Sequence, residues 1–72
     1  MNYYKQAILK MQHFLECVVN RNRLDECPKF MAKSKEIYET HKDSFTNEET
    51  EYLSMLWNRS QEFYDKAVLL KD

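Results

Sequence analysis

The 72-residue chain contains no glycine. Glycine supplies the positive φ that two-residue β-hairpin turns require, and it lets the backbone approach a bound phosphate closely. A sheet-rich fold would therefore have poor turn residues, and the sequence holds neither a P-loop nor a dinucleotide-binding fingerprint. Helix interiors need no glycine, so the sequence favours an all-α fold.

The first segment with helical periodicity covers residues 3–19. Its apolar positions alternate spacings of four and three residues, and two more widen the stripe: Tyr4, Ile8, Met11, Leu15 and Val18, with Ala7 and Phe14. We expect the helix to end where Asn20 or Asn22 adopts the left-handed conformation that glycine usually supplies. Residues 20–26 are then the first loop.

A second helix is predicted over residues 28–42. Pro28 suits a first turn, where its missing N–H would have no partner, and Asp25 and Glu26 favour the positive end of a helix. The positions that share one face are sparser than in the first helix: Phe30, Met31, Ser34, Ile37, Tyr38 and His41. We therefore expect this helix to pack on one side only.

The third helix is predicted over residues 47–70. Thr46 with Glu49 three residues later matches the capping box that begins many helices. Its core positions again alternate three and four: Leu53, Leu56, Ser60, Phe63, Ala67 and Leu70. Three helices with short links predict an all-α fold, a small antiparallel three-helix bundle that forms a single domain over residues 1–72.

The only tryptophan, Trp57, belongs with Tyr64 and Val68 to a second apolar stripe beside this core. A wide apolar arc is expected where one helix contacts two others, so the stripe is consistent with core packing. Tryptophan and tyrosine are also enriched at protein interfaces, which gives the alternative of a partner-facing patch. On that alternative the candidate protein-binding residues are Tyr52, Trp57 and Tyr64.

The net charge of −1 conceals a strong asymmetry. Residues 1–35 hold seven basic and three acidic residues, whereas residues 36–72 hold four basic and nine acidic ones. The basic excess lies around the first loop and second helix, which makes five residues candidates for contact with an anion or nucleic acid: Arg21, Arg23, Lys29, Lys33 and Lys35. Only one aromatic residue, Phe30, lies among them and no recognition helix is evident, so direct nucleic-acid binding is the weaker prediction.

Nothing in the sequence is diagnostic of catalysis or of a metal site. His13 and Cys17 are one helical turn apart, and Cys27 and His41 could join them, but the spacing is not that of zinc sites. We predict no enzyme activity, no metal and no cofactor, and two reduced thiols. A helical oligomer that binds a small anionic ligand between subunits, near Tyr3 and Tyr4, is a further alternative.

The sequence has neither an apolar run long enough to span a bilayer nor the features of a signal peptide, so we expect a cytoplasmic protein without a membrane partner. The short, aromatic and charge-rich make-up resembles small bacteriophage or bacterial regulatory proteins in style, and this resemblance supplies no site residues. The predicted function is a non-enzymatic interaction module that binds and modulates or inhibits a larger protein through an aromatic face of the C-terminal helix. Self-association of the chain is a further alternative.

Overall fold

The computed structural model describes residues 2–21 and 23–70. Within these two ranges there is no strand, and the helices follow in the order α1 (Tyr3–Asn20), α2 (Pro28–Thr40) and α3 (Asn47–Leu69). Single 3₁₀ turns, Leu24–Glu26 and Lys42–Ser44, lie in the two connections. The prediction of a small antiparallel three-helix bundle is confirmed, and each predicted helix boundary agrees to within two residues.

The ends of α1 are capped by residues on either side of it. The Asn2 side chain accepts a hydrogen bond from the Lys5 amide at 3.0 Å. At the other end Arg21 has a φ of 60° and its amide donates to the Cys17 carbonyl. The predicted left-handed residue was Asn20 or Asn22: Asn20 is not left-handed, because the helix continues through it and turns one residue later, and Asn22 lies outside the described residues.

The start of α3 has the predicted capping box. Thr46 Oγ1 accepts from the Glu49 amide at 3.1 Å, and Glu49 Oε1 accepts from the Thr46 amide at 3.0 Å. Pro28 occupies the first turn of α2, also as predicted. That helix ends two residues before the predicted position, because the chain tightens into the 3₁₀ turn Lys42–Ser44 on its way to α3.

The buried stripe of α1 is narrower than the predicted one. Ala7, Met11, Phe14 and Val18 are buried, whereas Tyr4, Ile8 and Leu15 are only half-buried. The reason is the position of α2, which contacts α1 more extensively than any other pair of helices does. The close approach of α2 at Ala7 brings the side of α1 that carries Ala7, Met11, Phe14 and Val18 into the centre of the bundle.

The buried stripe of α3 is narrow. Leu53, Ser60 and Ala67, spaced by seven residues, are buried, and Leu56 is half-buried. The prediction that Phe63 and Leu70 are core residues is wrong, since they are 44% and 69% exposed. They lie on the flank of α3 that is turned away from α2, where none of the described elements covers them.

Candidate protein-binding site

One buried hydroxyl joins all three helices. Ser34 of α2 is 0% exposed, and its Oγ donates a hydrogen bond to the Ala7 carbonyl of α1 at 2.9 Å. The same oxygen accepts a hydrogen bond from Trp57 Nε1 of α3 at 3.0 Å. A buried hydroxyl with both roles filled is well compensated for its loss of water, so Ser34 holds the indole in one orientation.

The other contacts of Trp57 are also made within the chain. Its ring meets the Tyr38 ring edge to face, with centroids 5.7 Å apart. Lys35 Nζ lies 5.7 Å from the centre of the indole. Tyr38 in turn packs edge to face on Phe45 at 5.0 Å. Trp57 is therefore half-buried in the contact between α2 and α3, with part of its surface still open to solvent.

The three predicted binding residues do not form one patch. Tyr64 is half-buried against Phe14 of α1, with ring centroids 5.8 Å apart, on the same flank of α3 as Trp57. Tyr52 precedes Trp57 by five residues, which places it about 140° away around the helix. It is 48% exposed. Of the three side chains, Tyr52 is the most exposed.

Tyr52 belongs to a surface that the sequence interpretation missed. Residues with spacings of four and then seven recur on two helices, forming what we call the α1/α3 face: Tyr4, Ile8 and Leu15 of α1, and Tyr52, Leu56 and Phe63 of α3. The identical spacing on the two helices, offset by 48 residues, is the feature of the sequence that could have identified this face. Because α1 and α3 each run antiparallel to α2, they are parallel to one another and the two sets run side by side.

One end of the α1/α3 face forms a shallow groove of about 600 Å³. Its walls include Tyr4, Ile8 and Tyr52, and Lys5 and Gln12 stand at its edge. Burial raises the pKa of Tyr4, and the nearby Tyr52 and Glu49 raise it further. Both effects disfavour the phenolate form of Tyr4, which suits a mostly apolar groove.

The five predicted anion-contact residues are exposed but are not brought together as one cationic surface. Glu26 lies 3.6 Å from Arg23 and 3.0 Å from Lys29, and Lys33 pairs with a neighbouring carboxylate at 3.1 Å. Lys35 points to Trp57 on another side of α2. These ion pairs reduce the positive charge that a phosphate would meet, and a role in nucleic-acid binding stays a prediction.

The two cysteines lie together at the end of α1. Cys17 and Cys27 are free thiols, and each Sγ lies 3.5 Å from the Arg23 carbonyl, to which it donates. Burial raises the pKa of Cys27 to about 12, and the neighbouring Cys17 adds to the shift. A thiol held in its neutral form is a poor nucleophile and a poor metal ligand.

Two searches over the described residues bear on other kinds of site. No three histidine, cysteine, aspartate or glutamate side chains within 2–21 and 23–70 are placed so as to hold a metal ion. His41 stacks on Tyr3 at 3.5 Å, away from the other potential ligands His13 and Cys17. Over the same residues, the helices lack the length and apolar content needed to cross a membrane.

Comparison with known proteins adds no assignment: no protein-family model matches the sequence, and no curated protein or solved structure matches it significantly. Inference about function therefore depends on the surfaces described above.

Proposed function

We propose that the chain is a small non-enzymatic interaction protein that binds a larger protein and modulates or inhibits it through the C-terminal helix. The observation that carries the proposal is the exposure of two large aromatic side chains, Tyr52 and Phe63, on one flank of α3. Isolated exposed apolar residues are common on monomers, but contiguous apolar surface is typical of interaction sites. Here the two aromatics adjoin half-buried Leu56 and the apolar flank of α1.

The α1/α3 face resembles known protein interfaces in composition and in layout. Aromatic residues supply much of the binding energy at protein interfaces when they enter a desolvated pocket on the partner. Charged residues at the edge steer the approach of a partner and set the rate of association more than the affinity. In this proposal Tyr52 and Phe63 are the anchors, and Trp57 and Tyr64 hold α3 in place from the opposite flank.

Replacement of Phe63 by glutamine tests the proposal. The matched control is Val68→Gln, because Val68 is also on α3 and is 42% exposed, close to the 44% of Phe63, but lies on the opposite flank. Both changes leave the net charge unaltered, and circular dichroism checks that both variants are folded. We expect Phe63→Gln to weaken binding to a captured partner by about tenfold or more, as at an interface hot spot, and Val68→Gln to leave it unchanged.

The experiment captures partners on immobilised wild-type chain and then measures the affinity of each purified partner for the three proteins by calorimetry. Equal affinity of wild type and Phe63→Gln for every partner would refute the use of this face. The predicted contacts of Trp57 and Tyr64 with a partner stay predictions, and their partial exposure permits them.

A further inference from the structure

The molecule exposes more surface than its mass accounts for. A folded monomer of 8.8 kDa is expected to expose about 4,800 Å², whereas this chain exposes 5272 Å². The excess, about 500 Å² by the same scaling, agrees with an elongated shape of 42 × 19 × 14 Å. It also agrees with the narrow buried stripe of α3, which leaves the flank carrying Phe63 uncovered among the described elements.

The α1/α3 face has the layout of half a four-helix bundle. Two parallel helices lie side by side and present apolar residues at matched spacings, as one layer of such a bundle does. Each helix buries one stripe within the monomer, and the flank beside that stripe is left for a second layer. A second pair of helices laid on this face would cover Ile8, Leu56 and Phe63 together.

The charges at the edge of the face are complementary to themselves. At the end near Tyr4, α1 carries Lys5 and α3 carries Glu48; at the other end, α1 carries Glu16 and α3 carries Lys66. All four are exposed, and none is ion-paired to another described residue. The signs therefore alternate around the four corners.

This alternation has a geometric consequence. A two-fold axis that lies in the plane of the face and perpendicular to the helices places α1 antiparallel on the partner's α1, so that positive and negative corners meet. A two-fold axis parallel to the helices, also in the plane of the face, places α1 on the partner's α3, and opposite signs again meet. Arg59 and Glu62 place one further charge of each sign on α3 between the corners. Closed two-fold symmetry is also the commonest arrangement of oligomers.

We propose that the α1/α3 face binds a second copy of this chain. The product is a two-fold symmetric dimer in which two layers, each of two helices, form a four-helix bundle. The inference rests on the proposed function, because it assigns a first occupant to the same face. The dimer covers Tyr52 and Phe63 in the absence of a larger protein. That protein must then displace the second copy, so self-association sets how much of the chain is competent to bind.

The size of the face makes this dimer a weak and reversible one. Two adjacent helices over about three turns present about 16 Å by about 20 Å, near 320 Å² per copy. Stable complexes bury about 800 Å² on each partner. Interfaces of this small size are typical of weak, transient complexes, so we expect a dissociation constant in the micromolar to millimolar range, which allows a larger partner with a better-fitting surface to compete effectively.

The test is the mass of the purified full chain by sedimentation equilibrium, in reducing buffer so that Cys17 forms no intermolecular disulfide. Over about 10 µM to about 2 mM, a range that covers such a dissociation constant, we expect the mass to rise from 8.8 kDa toward twice that value. Phe63→Gln should weaken the dimer by about tenfold or more, and Val68→Gln should leave it unchanged. A dimer equally strong in Phe63→Gln would place the contact on another surface and overturn the proposal.

Charge swaps identify the arrangement and keep the test independent of the apolar substitution. Lys5→Glu alone should weaken the dimer by several-fold. Adding Glu16→Lys should restore it if α1 lies on the partner's α1, and adding Glu48→Lys should restore it if α1 lies on the partner's α3. Failure of both second changes to restore a dimer weakened by Lys5→Glu would refute the charge complementarity on which the proposal is built.

The outcomes also separate this inference from the proposed function. If the wild-type chain stays monomeric at about 2 mM, well above typical interface dissociation constants, the dimer is refuted. If Phe63→Gln then still loses affinity for a larger protein, the proposed function stands without it. If Phe63→Gln changes neither self-association nor partner affinity, both proposals fall.

Discussion

Replacing Ser34 by alanine removes the hydroxyl that connects the three helices. The change deletes the hydrogen bond to the Ala7 carbonyl at 2.9 Å and the one from Trp57 Nε1 at 3.0 Å. A hydrogen bond contributes about 1 kcal/mol net, so the two together contribute about 2 kcal/mol. Alanine returns about 0.5 kcal/mol through its better helix propensity, and the net loss is about 1.5 kcal/mol.

That loss is large for a chain of this size. Stabilities of about 0.05 to 0.15 kcal/mol per residue leave a 72-residue domain only about 4 to 11 kcal/mol. At about 4 to 8 °C per kcal/mol, Ser34→Ala should lower Tm by roughly 6 to 12 °C. We would measure it by urea and thermal unfolding followed by circular dichroism at 222 nm. Ser54→Ala, at an exposed position of α3, is the matched control and should be neutral or slightly stabilising.

A double-mutant cycle isolates the contact between Ser34 and Trp57. Trp57→Phe removes the N–H donor while keeping an aromatic ring, and the cycle with Ser34→Ala should give a coupling energy of about 1 kcal/mol. Unfolding of Ser34→Ala within about 0.3 kcal/mol of wild type, the usual error of additivity, would refute the reasoning. So would a coupling energy of zero in the presence of a normal Ser34→Ala loss, because the indole would then not depend on the hydroxyl.

Three further predictions follow from contacts within the bundle. Thr46→Ala should lower the free energy of unfolding by about 1 kcal/mol through loss of the cap, and Thr46→Ser should retain most of it, as urea titration would report. Trp57→Ala should destabilise by about 3 kcal/mol or more, visible as loss of helical signal at lower urea; a variant as stable as wild type would contradict the packing described. The folded pKa of Cys27, about 12, exceeds the ordinary value of 9.0, so its contribution to stability is complete below pH 9 and is lost as pH rises toward 12. Cys27→Ala should flatten the fall in stability over that interval, and a thiol reagent at pH 8 should modify Cys17 before Cys27.

The helices were predictable because their signals are local. The capping box at Thr46, the proline at the first turn of α2 and the three-four spacing of apolar residues each depend on neighbours within one or two turns. The structure agrees with all of them. Even the left-handed end of α1 lies within one residue of the predicted position, although it is occupied by Arg21 rather than by an asparagine.

Which side of each helix is buried was not predictable in the same way. Ile8 and Leu15 are as apolar as Met11 and Val18, and only the position of α2 decides which pair is buried. The role of Trp57 depends on Ser34, which is 23 residues away along the chain. A serine on an apolar face gives no sign in the sequence that its hydroxyl meets both a carbonyl and an indole. Function is still less accessible, because exposed aromatics identify a surface without identifying what binds to it.

Arg21 shows what the absence of glycine means for the unfolded chain. A left-handed backbone costs an ordinary residue about 1 to 2 kcal/mol, and glycine at this position would relieve that strain. Glycine would also widen the set of conformations open to the unfolded chain, which costs about 0.4 to 1 kcal/mol of stability. Arginine adds a favourable charge at the negative end of α1. The opposing terms are of similar size, so the chain loses little at the left-handed turn of Arg21. Because none of its 72 residues is glycine, its unfolded state has fewer backbone conformations to lose on folding.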